Sequence, residues 1–303
     1  MRTVMWARYH RTMTVMVTGA SGPVGHALVP LLARKDEVRA AVRDPACVED
    51  LRALGAKVTL DRLGDTDALA EVLGGVFTLV HLVGGPDQPD DDELWDANHR
   101  SVLRAIEASR RAGVHRFVFV SVPGASPDAP EPFLRAKGLA EEAVTTSGLQ
   151  HAVIRSAPVV GVGSSWFAAT VAGALEWPPV VWSEGDRSLA PVALGDLAAV
   201  LAVADDIDVD LSGTWSLEGP DVVTGDSMTE MLAGAHGSFS HLRGEPARAA
   251  LSSLFQHEVS PHLIEALADP RRADAPDAAA FFGLERTSLV DAVRAALASA
   301  TTH

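Results

Sequence analysis

Six short runs of β-branched and apolar residues, separated by five helical patterns, leave this chain few folds to choose from. From Met13 onward "TVMVTG", "EVRAAVR", "AKVTL", "FTLVHLVGG", "RFVFVS" and "HAVIR" have the length and composition of buried strands. Between them "HALVPLLARK", "CVEDLRALG", "TDALAEVLGG", "SVLRAIEASRRAG" and "KGLAEEAVTTSG" carry apolar residues at helical spacing, several closed by a glycine suited to a left-handed cap. Strands that alternate with helices of this length pair in parallel, because each crossover lays a helix on a face of the sheet. The expected fold class is α/β, a doubly wound parallel (Rossmann) sheet over residues 13–160. Beyond "RSAPVVGVG" the alternation breaks down, and residues 161–303 are expected to form a smaller C-terminal substrate-binding cap.

The first strand runs into "VTGASGPVG", where Gly19, Gly22 and Gly25 have T-G-x-x-G-x-x-G spacing and the helix "PVGHALVPLLARK" follows at once. Glycine lets the backbone turn sharply and approach a pyrophosphate, whose charge then sits on the free amides of a helix N-terminus. The alternative is a tight strand-to-helix turn that binds nothing. The strand before, the helix after and the continuing βαβ pattern favour a dinucleotide held by Gly19, Ala20, Ser21, Gly22, Pro23, Val24 and Gly25. The second strand ends in "EVRAAVRDP". An acidic residue there would bond the ribose hydroxyls of NAD, but Arg43 occupies the place, and a guanidinium pairs with a 2'-phosphate. NADP(H) is therefore the preferred cofactor, with NAD(H) as the alternative that the neighbouring Asp44 keeps open. Arg39, earlier in the same strand, reads as a solvated charge.

Taken together, "VTGASGPVG", "AAVRDP", "FTLVHLVGG", "GVHRFVFVSVPGA", "PFLRAKGLAEEAV" and "GLQHAVIRSAPVVG" resemble the atypical short-chain dehydrogenase/reductases, close to the NmrA-like and isoflavone-reductase-like NAD(P)-binding branch. The resemblance runs from Met13 to about Leu297. It implies cofactor contacts from Leu82 and Val83 at the end of the fourth strand, and a return of residues 189–217 to the main sheet. Two departures stand out. The superfamily's usual reductases and epimerases carry a catalytic serine, and a tyrosine four residues before a lysine. Here Phe133 stands at the tyrosine position, and the serine falls on Ser121 or Val122. Arg62 replaces an aspartate that contacts adenine, and the only tyrosine, Tyr9, lies in a segment (residues 1–12) expected to extend outside the fold, Met13 being itself a candidate translation start.

Lys137 is what is left of the tyrosine-lysine pair. It is one of three lysines (with Lys35 and Lys57) among 25 basic residues, so arginine is this chain's ordinary cation. Beside the cationic nicotinamide of an oxidised cofactor an ammonium loses part of its affinity for the proton, which suits it to general acid-base work near neutrality. The alternatives are a clamp on the nicotinamide ribose and an ion pair with Glu141 one turn on. Lys137 and Ser121 are the candidate catalytic residues, and Lys137 is also a cofactor contact.

Elsewhere the sequence is more negative than informative. His81, inside an apolar strand, reads as a satisfied core histidine; His99 faces either cofactor or solvent; the "DDDE" run reads as solvated, favouring a helix dipole. No H-E-x-x-H or paired Cys/His spacing predicts a metal site. A net charge of -15 disfavours nucleic acid and anionic membrane surfaces, and no apolar run approaches the length of a membrane span. The single cysteine, Cys47, precludes an internal disulfide, and no secretory h-region precedes the glycine loop, so a cytoplasmic location is expected. Trp166, Phe167, Trp177 and Trp182 crowd one stretch of the cap, to line a site for an apolar or aromatic small molecule or to form the cap's own core. The function expected is NADPH-dependent hydride transfer to an apolar carbonyl, enone or quinone. The alternatives are an NADP(H)-binding sensor without turnover and a non-redox lyase or cyclase.

Overall fold

The computed structural model describes residues 13–60, 64–206, 211–234 and 238–300. Tyr9, Arg62 and the 1–12 segment lie outside them. In chain order the first half consists of β1 (Thr14–Thr18), α1 (Pro23–Leu32), β2 (Glu37–Val42), α2 (Val48–Ala53), β3 (Lys57–Leu60), α3 (Thr66–Val72), β4 (Thr78–His81), α4 (Asp91–Trp95), a π-turn (Asp96–Arg100), α5 (Ser101–Ala112), β5 (Arg116–Ser121), α6 (Pro132–Thr145) and β6 (Gln150–Ser156). A seventh strand, β7 (Gly213–Leu217), joins them from the second half. All seven pair in parallel in the order β7-β6-β5-β4-β1-β2-β3. The order reverses between β1 and β4, and a doubly wound sheet opens its ligand crevice at such a reversal, beyond the carboxyl ends of the strands.

Period-two alternation sorts the strand residues between two cores. Val15, Val17, Val118 and Ile154 face α1 and the later helix α8 (Leu194–Asp206), where Leu28, Leu32, Leu197 and Leu201 meet them. Met16, Phe117, Phe119 and Val153 face α3, α5 and α6. Each fully buried side chain of this size contributes roughly 1.5–3 kcal/mol, so the strand ends that carry the site are fixed from both sides. Helix α5 stops at Gly113, whose φ of 74° takes the left-handed cap. Arg39 is a half-exposed face charge whose guanidinium also donates to the carbonyl of Gly74 (2.9 Å) and to Glu37 Oε1 (3.1 Å), tying β2 to the turn after α3.

Residues after β6 form α7 (Ser165–Ala174), then α8, α9 (Gly225–Ala233), α10 (Gly244–Phe255), α11 (Pro261–Ala268), α12 (Ala278–Phe282) and α13 (Leu289–Ala300). The four clustered aromatics divide. Phe167 and Trp182 are buried in two smaller cores formed by residues after β6, Trp182 Nε1 donating to Ala169 O at 2.6 Å. Trp166 lines the main cavity, and Trp177 is 89% exposed. Among the described residues no helix is long and apolar enough to cross a membrane.

Candidate active site

The glycine loop joins β1 to α1 with the backbone folded back on itself. Gly22 N donates to Gly19 O at 3.1 Å, and Gly19 sits at a φ of +73°. A Cβ at Gly19 would lie 2.8 Å from the carbonyl carbon of Leu82 and 2.9 Å from Val83 N, so this glycine lets the loop lie against the end of β4. Gly25 packs on Ala20 so closely that a Cβ would stand 2.5 Å from Ala20 Cα. Helix α1 starts with Pro23 in its first turn, and its N-cap, Gly22, supplies no side-chain acceptor to the first-turn amides. A close backbone approach, with helix amides left for an outside acceptor, is what a pyrophosphate requires, so these residues fit a dinucleotide. Ala41 of β2 is level with Thr18 of β1, which places Arg43 just beyond the strand end beside the loop, exposed. Asp44 is engaged otherwise: its carboxylate accepts from Ala46 N (2.9 Å) and caps a short turn.

Lys137 comes from the middle of α6 and is 5% exposed. Its Nζ donates to the carbonyl of Val120 (3.1 Å) and stands 4.8 Å from the centre of the Phe119 ring. Burial lowers its pKa to about 8, against a smaller upward pull from Glu141. The alternative Lys137–Glu141 pair does not form, because Glu141 is held by Arg155 of β6 at 2.6 Å. Phe133, one turn before Lys137, is buried on the cavity wall. Ser121 shares Phe119's face of β5, and its Oγ is buried with no hydrogen-bond partner among the described residues. Val122 lines the same cavity.

The cavity itself, about 480 Å³, lies beyond the carboxyl ends of β4, β5 and β6, with Pro23 and Val24 of α1 on one side. Its wall is largely apolar, with Val120, Phe133, Leu134, Pro158 and Trp166 among the lining residues; the charged and polar lining includes Asp87, Glu131, Glu265, Asp269, Arg271 and His262. Residues 260–271 are tied to the first half of the chain across it. His262 Nε2 meets Asp91 Oδ1 at 2.8 Å, Ser260 Oγ donates to Pro86 O at 3.0 Å, and Arg271 binds Glu131 at 2.9 Å. The "DDDE" run is solvent-exposed, with the side chains of Asp91 and Asp92 at 77% and 81%, and it also acts locally: Asp90 caps α4, Asp91 meets His262 and Asp92 pairs with Arg100.

His81 is a core histidine. Ser101 Oγ gives its proton to Ala97 O (2.7 Å) and so accepts from His81 Nε2 (3.3 Å), which leaves Nδ1 to accept from Thr18 Oγ1 (2.9 Å). Burial, with Lys137 and Arg104 nearby, lowers its pKa to about 3, so the ring stays neutral. His99 lies edge-on to Trp95, half-buried, its pKa lowered by burial and by Arg100. Asn98 is a residue that sequence reasoning missed. Fully buried in the π-turn, it accepts from Gly85 N (2.8 Å) and donates to Gly85 O (2.9 Å) and Leu94 O (3.0 Å). It thereby fixes the loop that leaves β4 over the cavity. The signal was the doublet Gly84-Gly85, at φ +121° and +146°, which marks an irregular loop in need of an outside partner. Among the described residues no cluster of His, Cys, Asp and Glu could hold a metal ion.

Residues 19–160 match a family model described as NAD(P)H-binding. The chain is 29% identical over 260 residues, 81% of its length and 83% of the relative's, to a (4-alkanoyl-5-oxo-2,5-dihydrofuran-3-yl)methyl phosphate reductase of Streptomyces griseus. It is 30% identical to an uncharacterized sugar epimerase of Bacillus subtilis, covering 47% of this chain and 71% of that one. To quinone oxidoreductase 2 of Escherichia coli it is 28% identical over 62% of each chain. Among solved structures, the Escherichia coli NADPH-dependent quinone oxidoreductase QOR2 complexed with NADPH has a TM-score of 0.75 at 22% identity, covering 93% of this chain and 99% of that one.

Proposed function

The chain belongs to the NAD(P)H-binding family of atypical short-chain dehydrogenase/reductases, in its NmrA-like group, and from that membership we propose that it is an NADPH-dependent oxidoreductase acting on an apolar carbonyl, enone or quinone without a catalytic tyrosine. The observation that carries this reading is a buried lysine, its pKa lowered to about 8, anchored to a strand-end residue of an apolar cavity. The reductase names of the Streptomyces and Escherichia relatives support the reaction class.

The division of labour in this proposal follows from the side chains. Residues 13–160 hold the cofactor and 161–303 close the substrate side. The amides of the glycine loop and α1 take the pyrophosphate, Leu82 and Val83 flank the dinucleotide, and Arg43 pairs with the 2'-phosphate. NADPH, when bound, supplies the hydride. Ser121 orients the substrate oxygen through its otherwise unpartnered hydroxyl, and the Lys137 ammonium gives that oxygen a proton, regaining one from solvent afterwards. Phe133, Leu134 and Trp166 exclude water and favour a planar ring. Phe133 at the tyrosine position favours a second reading, an NADP(H)-binding sensor without turnover.

Oxidation of NADPH by the purified protein, followed at 340 nm against a panel of quinones, enones and apolar ketones, tests the proposal. Turnover with at least one class is expected. Binding of NADPH with no turnover on any of them would leave the sensor. Arg43 carries a separate expectation. Hydrogen bonds to charged groups contribute roughly 1.5–3 kcal/mol, so Arg43→Ala is expected to weaken NADPH binding about tenfold or more and to leave NADH binding nearly unchanged. Equal affinities for the two cofactors in the parent protein, measured by fluorescence titration, would remove the 2'-phosphate role.

A further inference from the structure

Arg155 takes no part in the reaction proposed above, yet its guanidinium organises the charges behind Lys137. Glu141 stands one turn beyond Lys137 on α6, the spacing at which lysine and glutamate side chains meet, and both residues are buried. The pair would be expected to close. Instead the Glu141 carboxylate accepts from Arg155 Nε at 3.0 Å and from Arg155 Nη2 at 2.6 Å. Arg155 is level with Ser121 across the β5–β6 pair, so its side chain leaves the sheet on the α6 face. Nη2 also donates to Ala125 O at 3.2 Å, and Nη1 meets Asp274 Oδ2 at 2.9 Å. Asp274 belongs to the segment joining α11 to α12 and accepts from Gly124 N (2.8 Å). The guanidinium is thus fixed from three directions, with a planar fork turned to the carboxylate.

We propose that Arg155 is a positioning residue: by holding Glu141 it keeps that carboxylate off the Lys137 ammonium, which stays bound to Val120 O and free to pass its proton to the substrate. The inference rests on Lys137 as the proton donor. Among the described residues Glu141 is the charged group found to act on Lys137. His81 on β4 is neutral; Asp96 and Arg104 pair with each other at 2.8 Å; His99 lies against Trp95; Asp274 already binds Arg155. Glu141 is the anion that acts on Lys137, and Arg155 is the cation that decides where Glu141 goes.

Losing the guanidinium leaves a buried carboxylate one turn from the Lys137 ammonium. A carboxylate that closes on a buried ammonium raises its titration midpoint by about one pH unit or more. Lysine-specific isotope labelling makes this readable without turnover, since the chain has only Lys35, Lys57 and Lys137, and the Lys137 signal is the one absent from Lys137→Met. In the cofactor-free full chain the parent midpoint is expected near pH 8. Arg155→Gln should move it up by about one unit or more, Glu141→Gln should move it down, and the double variant should follow Glu141→Gln. Should Arg155→Gln fail to fold, Arg155→Lys, which offers one ammonium in place of the fork, should still give an upward shift of about half a unit. An unchanged midpoint in the folded Arg155 variant, or shifts of the same sign from Arg155→Gln and Glu141→Gln, would overturn the proposal. The titration is read without substrate, so it stands apart from the fate of the catalytic reading: full turnover in Lys137→Met would sink the proton donor and leave the titration result intact.

Discussion

Lys137→Met is expected to retain most of the NADPH affinity while turnover falls by about 100-fold or more, the scale of general acid-base catalysis. Methionine keeps an unbranched apolar stem on the Phe119 ring, so the packing of α6 against β5 is largely preserved. What is lost is the Nζ donor to Val120 O and the proton it carries. The pH profile supplies a second check. A lysine acid works in its protonated form, and its pKa is lowered to about 8, so the parent rate should hold below that pH and fall as the pH rises through it. In Lys137→Met the residual rate should lack that descending limb. A ribose clamp would behave differently, with affinity and rate falling together and the pH profile unchanged. Full activity in Lys137→Met would dismiss both roles. Ser121 would then be the next residue to change; His81 would not, because its neutral ring has both nitrogens committed to Thr18 and Ser101.

The parts of this site that could be read from the chain are those whose physics is local. Gly19, Gly22 and Gly25 announce a turn by their spacing, Gly19 needing its positive φ and Gly25 the absence of a Cβ, and the strand before and helix after fix what the turn serves. The alternation of Val15, Met16 and Val17 likewise states which face each side chain takes. Lys137 stood out by its position on α6, but its partner could not be read. Helical spacing offered Glu141, and only the packing of α6 on β6 brings Arg155 to that carboxylate first. Asn98 was invisible for the same reason: one amide inside a helical pattern says nothing until a π-turn aims it at the loop after β4. The cap aromatics divide by the same rule. Neighbours in sequence, Trp166 and Phe167 pack on the same core, but of the two only Trp166 also lines the cavity, because one helical step rotates a side chain by about 100°.

Gly25→Ala is expected to weaken NADPH binding by about tenfold to a hundredfold and to lower thermal stability by several degrees, although the added methyl never touches the ligand. In the structure it would stand 2.5 Å from Ala20 Cα and 2.6 Å from Ala20 C, and these are backbone atoms that no rotamer change can move. Ala20 is itself fully buried, so the overlap is relieved only by lifting the first turn of α1 away from the glycine loop. Overpacking of this kind costs roughly 1–3 kcal/mol, and in a chain of 303 residues each kcal/mol moves the melting temperature by about 2 °C. The displaced turn carries the amides proposed to hold the pyrophosphate, and misplacing those donors by a fraction of an ångström would remove about one or two hydrogen bonds, the scale of the expected affinity change. Gly195→Ala provides the control. Gly195 is exposed in the first turn of α8 with nothing within 4 Å of an added Cβ, so there alanine should leave binding unchanged and hold or slightly raise stability. Calorimetric NADPH titrations and melting curves on the two variants decide the matter. Parent-like affinity and melting temperature in Gly25→Ala would mean that the close approach at Gly25 serves neither the fold nor the cofactor.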